Sequence, residues 1–310
     1  MISRRNILKK TLIYSLASSL VNLKAESLKG NNIHGLIKKK IPGNEETIPA
    51  VGMGTWLTFD VGYDKEELNK RVQILEIFFK KGGTFIDSSP MYGRAERVVG
   101  MCLEALKDKK YSLFSASKIW TPNGWHGKKQ FENSLNLWNL SSFSLMQVHN
   151  LVNCEGHLEY LYDLKKRNII KYIGVTTSHG WRHEKLKSVM ETNDIDFVQL
   201  TYNIFDTEAE KELLPLAFEK NIAVIANRPF QGGNLYKNVQ NKKLPSKLKQ
   251  YGIKTWADFF LKFIISHPAV TCTIPATSQV NHMYENMQAL EGFLLTEKER
   301  SKSREIFEDI

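Results

Sequence analysis

Short apolar runs alternate with stretches of helical periodicity from Ala50 to Leu290. Val51-Gly52-Met53-Gly54-Thr55-Trp56 reads as a first strand. Lys65 to Lys81 spaces Val72, Leu75, Ile77, Phe78 and Phe79 as a helix does and stops at Gly82-Gly83. A second strand, Thr84-Phe85-Ile86, runs into Asp87, and Ala95 to Leu106 follows as a helix. The rhythm continues with strands at Tyr111–Lys118, Ser144–His149, Ile169–Val175, Phe197–Leu200, Ile222–Ala226 and Ala269–Ile274. Helices are expected between and after them, at Lys128–Leu140, Cys154–Arg167, Glu184–Thr192, Glu208–Lys220, Thr255–Ser266 and Gln279–Leu290. Parallel strands need crossovers, which helices supply. Eight such units in about 240 residues predict an α/β fold, a closed (β/α)8 TIM barrel. An open doubly wound sheet ranks below it, because Gly52-Met53-Gly54-Thr55 does not lead at once into a helix.

Three stretches lie outside the rhythm. Leu36–Ile41 and Thr47–Pro49, joined through Pro42-Gly43, carry a hairpin signal ahead of the first strand and are placed to plug one end of the barrel. Arg228–Tyr251 reads as a long loop with Gly232-Gly233, the kind of barrel loop that serves as a lid. At the start, Ser3-Arg4-Arg5-Asn6-Ile7-Leu8-Lys9-Lys10 precedes a weakly apolar segment from Thr11 to Leu23 and then Lys24-Ala25-Glu26. That is the layout of a signal peptide rather than a membrane span, and its paired arginines resemble a twin-arginine export signal. The expected division is residues 1–30 as signal peptide and 31–310 as barrel. It predicts an interaction with bacterial export machinery and a periplasmic or otherwise exported location, cytoplasmic if the signal is not used.

Composition changes this picture little. The 310 residues are 42% hydrophobic and 25% charged, ordinary for a globular chain. Of the net charge of +10, five units come from the acid-free first 25 residues. The remaining lysines are scattered rather than clustered on one element, which argues against a nucleic-acid reader. No apolar run reaches the roughly 18 residues of a stable membrane span. Cys102, Cys154 and Cys272 are far apart and suggest buried thiols. His126, His149, His157, His179 and His183 show no metal-ligand spacing, which weakens a barrel hydrolase reading.

The chemistry gathers at strand ends. Asp87, Lys118 and His149 each close a successive strand, 31 residues apart, and Tyr92 lies in the Ser88-Ser89-Pro90-Met91-Tyr92-Gly93 turn after the first. Barrel active sites form at that end of the strands, so these four should converge on one rim. A phenol with an ordinary pKa of about 10 is a poor acid at neutral pH, and a neighbouring ammonium should lower it. Asp87 can hold Lys118, and His149 can orient a carbonyl oxygen. The set suits protonation of a carbonyl being reduced. A capped turn with four unrelated polar strand ends is the bland alternative.

These stretches, together with Ser117-Lys118, Gln147-Val148-His149-Asn150, Ile173-Gly174-Val175, Ile274-Pro275 and Glu285-Asn286, resemble the aldo-keto reductases over residues 36–292. The resemblance implies a barrel that binds a nicotinamide cofactor across its rim, with NADP(H) ranked above NAD(H), and reduces a small-molecule carbonyl substrate to an alcohol. It implies Tyr92 as acid/base, Lys118 and Asp87 as its tuning pair, His149 as substrate orienter, and no metal. On the cofactor side Thr176 and Thr177 stand where the family usually has Ser-Asn. Gln199 matches an amide-bearing position, and Asn227-Arg228-Pro229-Phe230 replaces a stacking aromatic. Thr277, Ser278 and His282 take the place of fixed charges around the 2′-phosphate, and Gln279, Glu285 and Asn286 face the adenosine end. These departures also motivate a runner-up, a cofactor-binding sensor or partner subunit with little turnover. Trp120 to Trp125, and Trp181, are candidate walls of an apolar substrate pocket.

Overall fold

A computed structural model describes residues 35–180 and 182–310. The export signal, its boundary at residue 30, and Trp181 therefore lie outside the described residues. Eight parallel strands form the centre: β3 (Met53–Gly54), β4 (Phe85–Asp87), β5 (Phe114–Ile119), β6 (Phe143–Val148), β7 (Ile170–Thr176), β8 (Phe197–Thr201), β9 (Ala223–Asn227) and β10 (Val270–Thr273). They pair in sequence order. The last closes on the first through a parallel bridge between Val51 and Thr273, with Gly52 N–H donating to the Thr273 carbonyl at 2.8 Å and Gly54 N–H to that of Pro275 at 3.0 Å. The (β/α)8 expectation is met.

The hairpin is present as β1 (Lys38–Lys40) and β2 (Thr47–Pro49), antiparallel with Lys39 opposite Ile48. Ile41 and Ile48 are buried in one cluster with Phe85, Phe114, Leu145, Tyr172 and Phe197. Three of those begin β4, β5 and β8, so the hairpin closes the N-terminal mouth of the barrel. Polar chemistry is left to the opposite end.

Helix boundaries follow local chemistry where periodicity alone misplaced them. The helix expected from Lys128 starts at Gly124 because Asn123 accepts from His126 N–H and caps it. The helix expected over Glu208–Lys220 is a 3₁₀ turn, Glu208–Glu210, followed by Leu213–Glu219. Pro215 has no N–H and would clash one turn back, so it fits only in a helix's first turn. The long loop holds two short helices, Asn234–Asn238 and Ser246–Lys249. A last helix, Glu297–Glu308, escaped notice because Ser303 is its one buried residue. Its signal was a capping box, Thr296 with Glu299. The barrel's outer layer is tightly drawn: a Cβ on Gly100 would lie 1.8 Å from the Leu137 carbonyl oxygen, so helix Ala95–Ala105 approaches Gly124–Trp138 only with glycine there.

Candidate active site

The parallel register brings the polar strand ends together. Lys118 pairs with Gln147 across β5 and β6, and Thr176 with Gln199 across β7 and β8. Asp87 and Lys118 are both buried, and Lys118 Nζ lies 2.5 Å from Asp87 Oδ2. The same ammonium donates to the Ser88 carbonyl at 2.8 Å. The other carboxylate oxygen, Oδ1, accepts from Gln147 Nε2 at 2.9 Å and Gln199 Nε2 at 3.1 Å. Thr55, just after β3, donates to the Asp87 carbonyl at 3.0 Å. Burial pulls the Lys118 ammonium down, but Asp87 and Tyr92 more than offset it and hold it above the ordinary lysine range.

Tyr92 is fixed by its turn. Its N–H donates to the Ser89 carbonyl at 2.9 Å, and Gly93 follows at φ +62°, a left-handed conformation that favours glycine. The Tyr92 ring stands edge-on to His149, with centroids 5.6 Å apart, and its centre is 4.9 Å from Lys118 Nζ. Lys118 acts on the phenol in the expected direction. Burial is the larger effect, however, and with Asp87 it leaves Tyr92 above its ordinary value rather than below. The phenol's desolvation outweighs the ammonium's pull, and the carboxylate 2.5 Å from that ammonium opposes the pull further. His149 Nδ1 is 2.8 Å from Ser89 Oγ, and burial, assisted by Lys118, pushes the imidazole well below its usual value. It is neutral at neutral pH.

A cavity of about 830 Å³ opens above these groups. Asp87, Tyr92 and His149 reach its wall, while Lys118 sits behind them. Thr176, Thr177, Gln199, Asn227, Arg228, Thr277, Ser278, His282, Glu285 and Asn286 all line the same cavity. Several of these side chains also hold the wall together. Thr176 Oγ1 accepts from Asn150 N–H at 3.2 Å, and Thr277 Oγ1 from Gln279 N–H at 3.0 Å. Asn227 donates to the Thr177 carbonyl at 2.9 Å and accepts from Thr201 Oγ1 at 2.9 Å. Gln199 turns toward Asp87 as described. Three buried polar atoms on residues of the lining, Thr58 Oγ1, Thr177 Oγ1 and Asn286 Nδ2, have no hydrogen-bond partner.

Some of the site was not foreseen. Gln147 sits two residues before His149, on the same face of β6, and a polar residue at such an inward strand position was its signal. Phe230 and Tyr236 bring paired rings, centroids 5.0 Å apart, to the wall where an aromatic at 227 is missing. Trp120 does not line this cavity. It borders a separate groove of about 630 Å³ with Pro122, His126 and Val152, while Trp125 packs under Lys129. Among the described residues no group of His, Cys, Asp and Glu could hold a metal ion, and no helix is long and apolar enough to cross a membrane.

A (β/α)8 barrel with a buried lysine–aspartate pair under a phenol at its C-terminal rim defines the class of the molecule. Within that class the chain belongs to the aldo/keto reductase family, whose sequence model matches residues 50–308. The uncharacterized oxidoreductase YqkF of Bacillus subtilis is 24% identical over 300 residues, covering 84% of this chain and 94% of that one. The aldo-keto reductase YhdN of the same organism is 26% identical over 194 residues, 56% of each chain. An aldo/keto reductase from Klebsiella pneumoniae, solved with NADP and acetate, superposes with a TM-score of 0.72 at 23% identity, covering 87% of this chain and 95% of that one. The glycerol dehydrogenase AKR11B4 from Gluconobacter oxydans superposes with a TM-score of 0.72 at 18% identity, covering 88% and 95%.

Proposed function

We propose that this chain is a nicotinamide-dependent carbonyl reductase that converts an aldehyde or ketone to an alcohol, with Tyr92 as general acid. The observation that carries the reading is the buried Asp87–Lys118 pair beneath a phenol that opens into a large cavity. Its fit to a nicotinamide cofactor rests on two of the three unpartnered buried atoms on the cavity's lining residues, Thr177 Oγ1 and Asn286 Nδ2, Thr58 Oγ1 being the third. Buried polar groups are normally hydrogen-bonded, so such orphans on the lining of one cavity are places for a ligand's polar atoms. Thr177 would meet the nicotinamide end, and Asn286, with Glu285 beside it, the adenosine end. Arg228, which lines the cavity and has Asp206 as its nearby carboxylate, would meet the phosphates. NADP(H) is placed ahead of NAD(H), with Thr277, Ser278 and His282 on the 2′-phosphate.

When bound, the reduced cofactor supplies a hydride to the carbonyl carbon. The chain's own residues manage the oxygen. Ser89 Oγ already accepts from Met91 N–H at 3.2 Å, so its own proton can go to His149 Nδ1, and the imidazole hydrogen then sits on Nε2. That hydrogen orients the carbonyl oxygen. Tyr92 delivers its phenolic proton to the same oxygen as negative charge develops there, and Lys118 stabilises the phenolate left behind. Solvent restores the proton.

The test is oxidation of NADPH by the purified protein with a panel of carbonyls. Cofactor that co-purifies while no carbonyl is turned over would favour the sensor reading. The cofactor assignment has its own measurement. Asn286→Leu is expected to weaken NADPH binding about tenfold, as loss of a hydrogen bond does, while stabilising the cofactor-free protein by about 1 kcal/mol through removal of a buried unsatisfied amide. Fluorescence titration and urea unfolding read the two effects, and unchanged affinity would remove Asn286 from the cofactor site. Export is part of the same proposal and is carried by Arg4 and Arg5 in the sequence; its test is whether Arg4→Lys with Arg5→Lys retains the protein in the cytoplasm.

A further inference from the structure

Behind the active site lies a second buried carboxyl that the chemistry above does not use. Glu96 stands in the first turn of helix Ala95–Ala105, four residues after Tyr92, and is 2% exposed. Its Oε1 accepts from Ser117 Oγ at 2.6 Å and Trp138 Nε1 at 3.3 Å, and its Oε2 from Ser134 Oγ at 3.0 Å. All three donors are themselves buried. Ser117 immediately precedes Lys118 in β5, with its side chain on the opposite face of the strand. Ser134 and Trp138 belong to helix Gly124–Trp138. One carboxylate thus ties together the element that follows Tyr92, the strand that carries Lys118 and the helix that covers both.

From this arrangement we infer that Glu96 is the positioning residue of the proton donor: it fixes the Tyr92 phenol over the Lys118 ammonium from outside the barrel wall and balances that ammonium's charge. The inference rests on the carbonyl-reductase reading of the same site. Burying a carboxylate is costly unless it is fully hydrogen-bonded, and a hydrophobic contact between helix and strand would serve folding at lower cost. What the carboxylate adds is a fixed register between Tyr92 and Lys118, and a negative charge felt by Lys118 through the strand. Burial holds the Glu96 carboxyl above its ordinary value, a shift that its three donors and then Lys118 only partly offset.

The other charges around Glu96 are engaged elsewhere. On its own helix Arg97 lies over the Tyr63 ring, and Arg94, just before that helix, pairs with Asp60. On helix Gly124–Trp138, Lys128 and Lys129 lie over the Tyr160 and Trp125 rings, and Glu132 is exposed. On helix Lys65–Lys80, Arg71 is held by Glu67 at 2.7 Å. Tyr92 is faced by Lys118, Asp87 and the neutral His149.

The experiment compares Glu96→Gln and Glu96→Asp with wild type. In Glu96→Gln, kcat for carbonyl reduction is expected to fall about 10- to 100-fold with little change in KM, as for a displaced catalytic group. Loss of the negative charge also favours the phenolate, so the alkaline limb of the kcat profile moves down. Glu96→Asp keeps the charge and shortens the reach. It should lose kcat while the limb stays in place.

Wild-type kcat in Glu96→Gln, or a loss of kcat with an unmoved limb, overturns the inference, the second outcome being what a merely structural role would give. If Glu96→Gln does not fold, Ser117→Ala removes the shortest bond to the carboxylate and leaves the charge. A kcat about fivefold lower or less at constant KM supports positioning, and wild-type kcat overturns it. If wild type turns over no carbonyl, the functional reading fails. The phenol can then still be titrated as the ultraviolet difference between each protein and its Tyr92→Phe counterpart. A midpoint lowered by Glu96→Gln supports the inference, and an unmoved one overturns it.

Discussion

Tyr92→Phe is expected to lower kcat for carbonyl reduction by about 10²- to 10⁴-fold, the range for loss of a general acid. The change removes one oxygen. The ring's edge contact with His149 and its place beside Lys118 are contacts of the ring itself, so packing survives. KM should move little, because the substrate oxygen keeps its His149 contact, and NADPH affinity should be unchanged.

The pH dependence separates the role further. Burial holds the phenol above its ordinary value, so in wild type it stays protonated through neutral pH. Reduction, which needs the proton, should therefore be flat there and fall only at alkaline pH above the ordinary phenol range. Alcohol oxidation, which needs the phenolate, should rise over that same range. In Tyr92→Phe both trends should vanish from the residual rate. A variant within threefold of wild type would remove Tyr92 from the chemistry.

The strand ends were legible because a barrel converts sequence position into place. Once eight strand–helix units are counted, Asp87, Lys118 and His149 must share a rim, and the structure has them there. The lining residues were legible for the same reason, since Thr176, Asn227 and Thr277 all end or follow strands. What stayed hidden is what depends on side-chain reach. Gln199 was placed toward a cofactor, yet its amide turns to Asp87 at 3.1 Å, because the carboxylate offers a stronger acceptor than the open cavity. Gln147 joins it from β6. Glu96 went unremarked because a glutamate in a helix's first turn has an ordinary explanation at the sequence level, favourable contact with the helix dipole. Only the fold places Ser117, Ser134 and Trp138 around it. The direction of the Tyr92 shift failed for a related reason: sequence shows the lysine and the aspartate that can claim it, but not how strongly the fold desolvates the phenol.

That claim sets the second large effect. Lys118→Met is expected to abolish measurable reduction and to destabilise the protein by up to about 3–5 kcal/mol, the cost of leaving one member of a buried pair alone. Methionine fills much of the lysine stem's space, so the loss comes from charge. Asp87 would keep Gln147 and Gln199 as donors, which places the cost toward the lower end. The ammonium's folded value lies above the ordinary lysine range, so its stabilising contribution is fully present at neutral pH. It is lost only as pH rises through that folded value. The stability gap between wild type and Lys118→Met should accordingly stay constant through neutral pH and narrow under alkaline conditions.

The double variant Asp87→Asn with Lys118→Met separates folding from chemistry. Removing both charges leaves neither uncompensated, so most of the lost stability should return in urea unfolding. Activity should not return, because the phenolate formed at Tyr92 would have no cation beside it. A double variant that recovered both would show the pair to be a packing device and would leave Tyr92 without its support. One that recovered neither would place the lysine's main role in folding. Only recovery of stability without activity makes Lys118 the group that lets a half-buried tyrosine give up its proton.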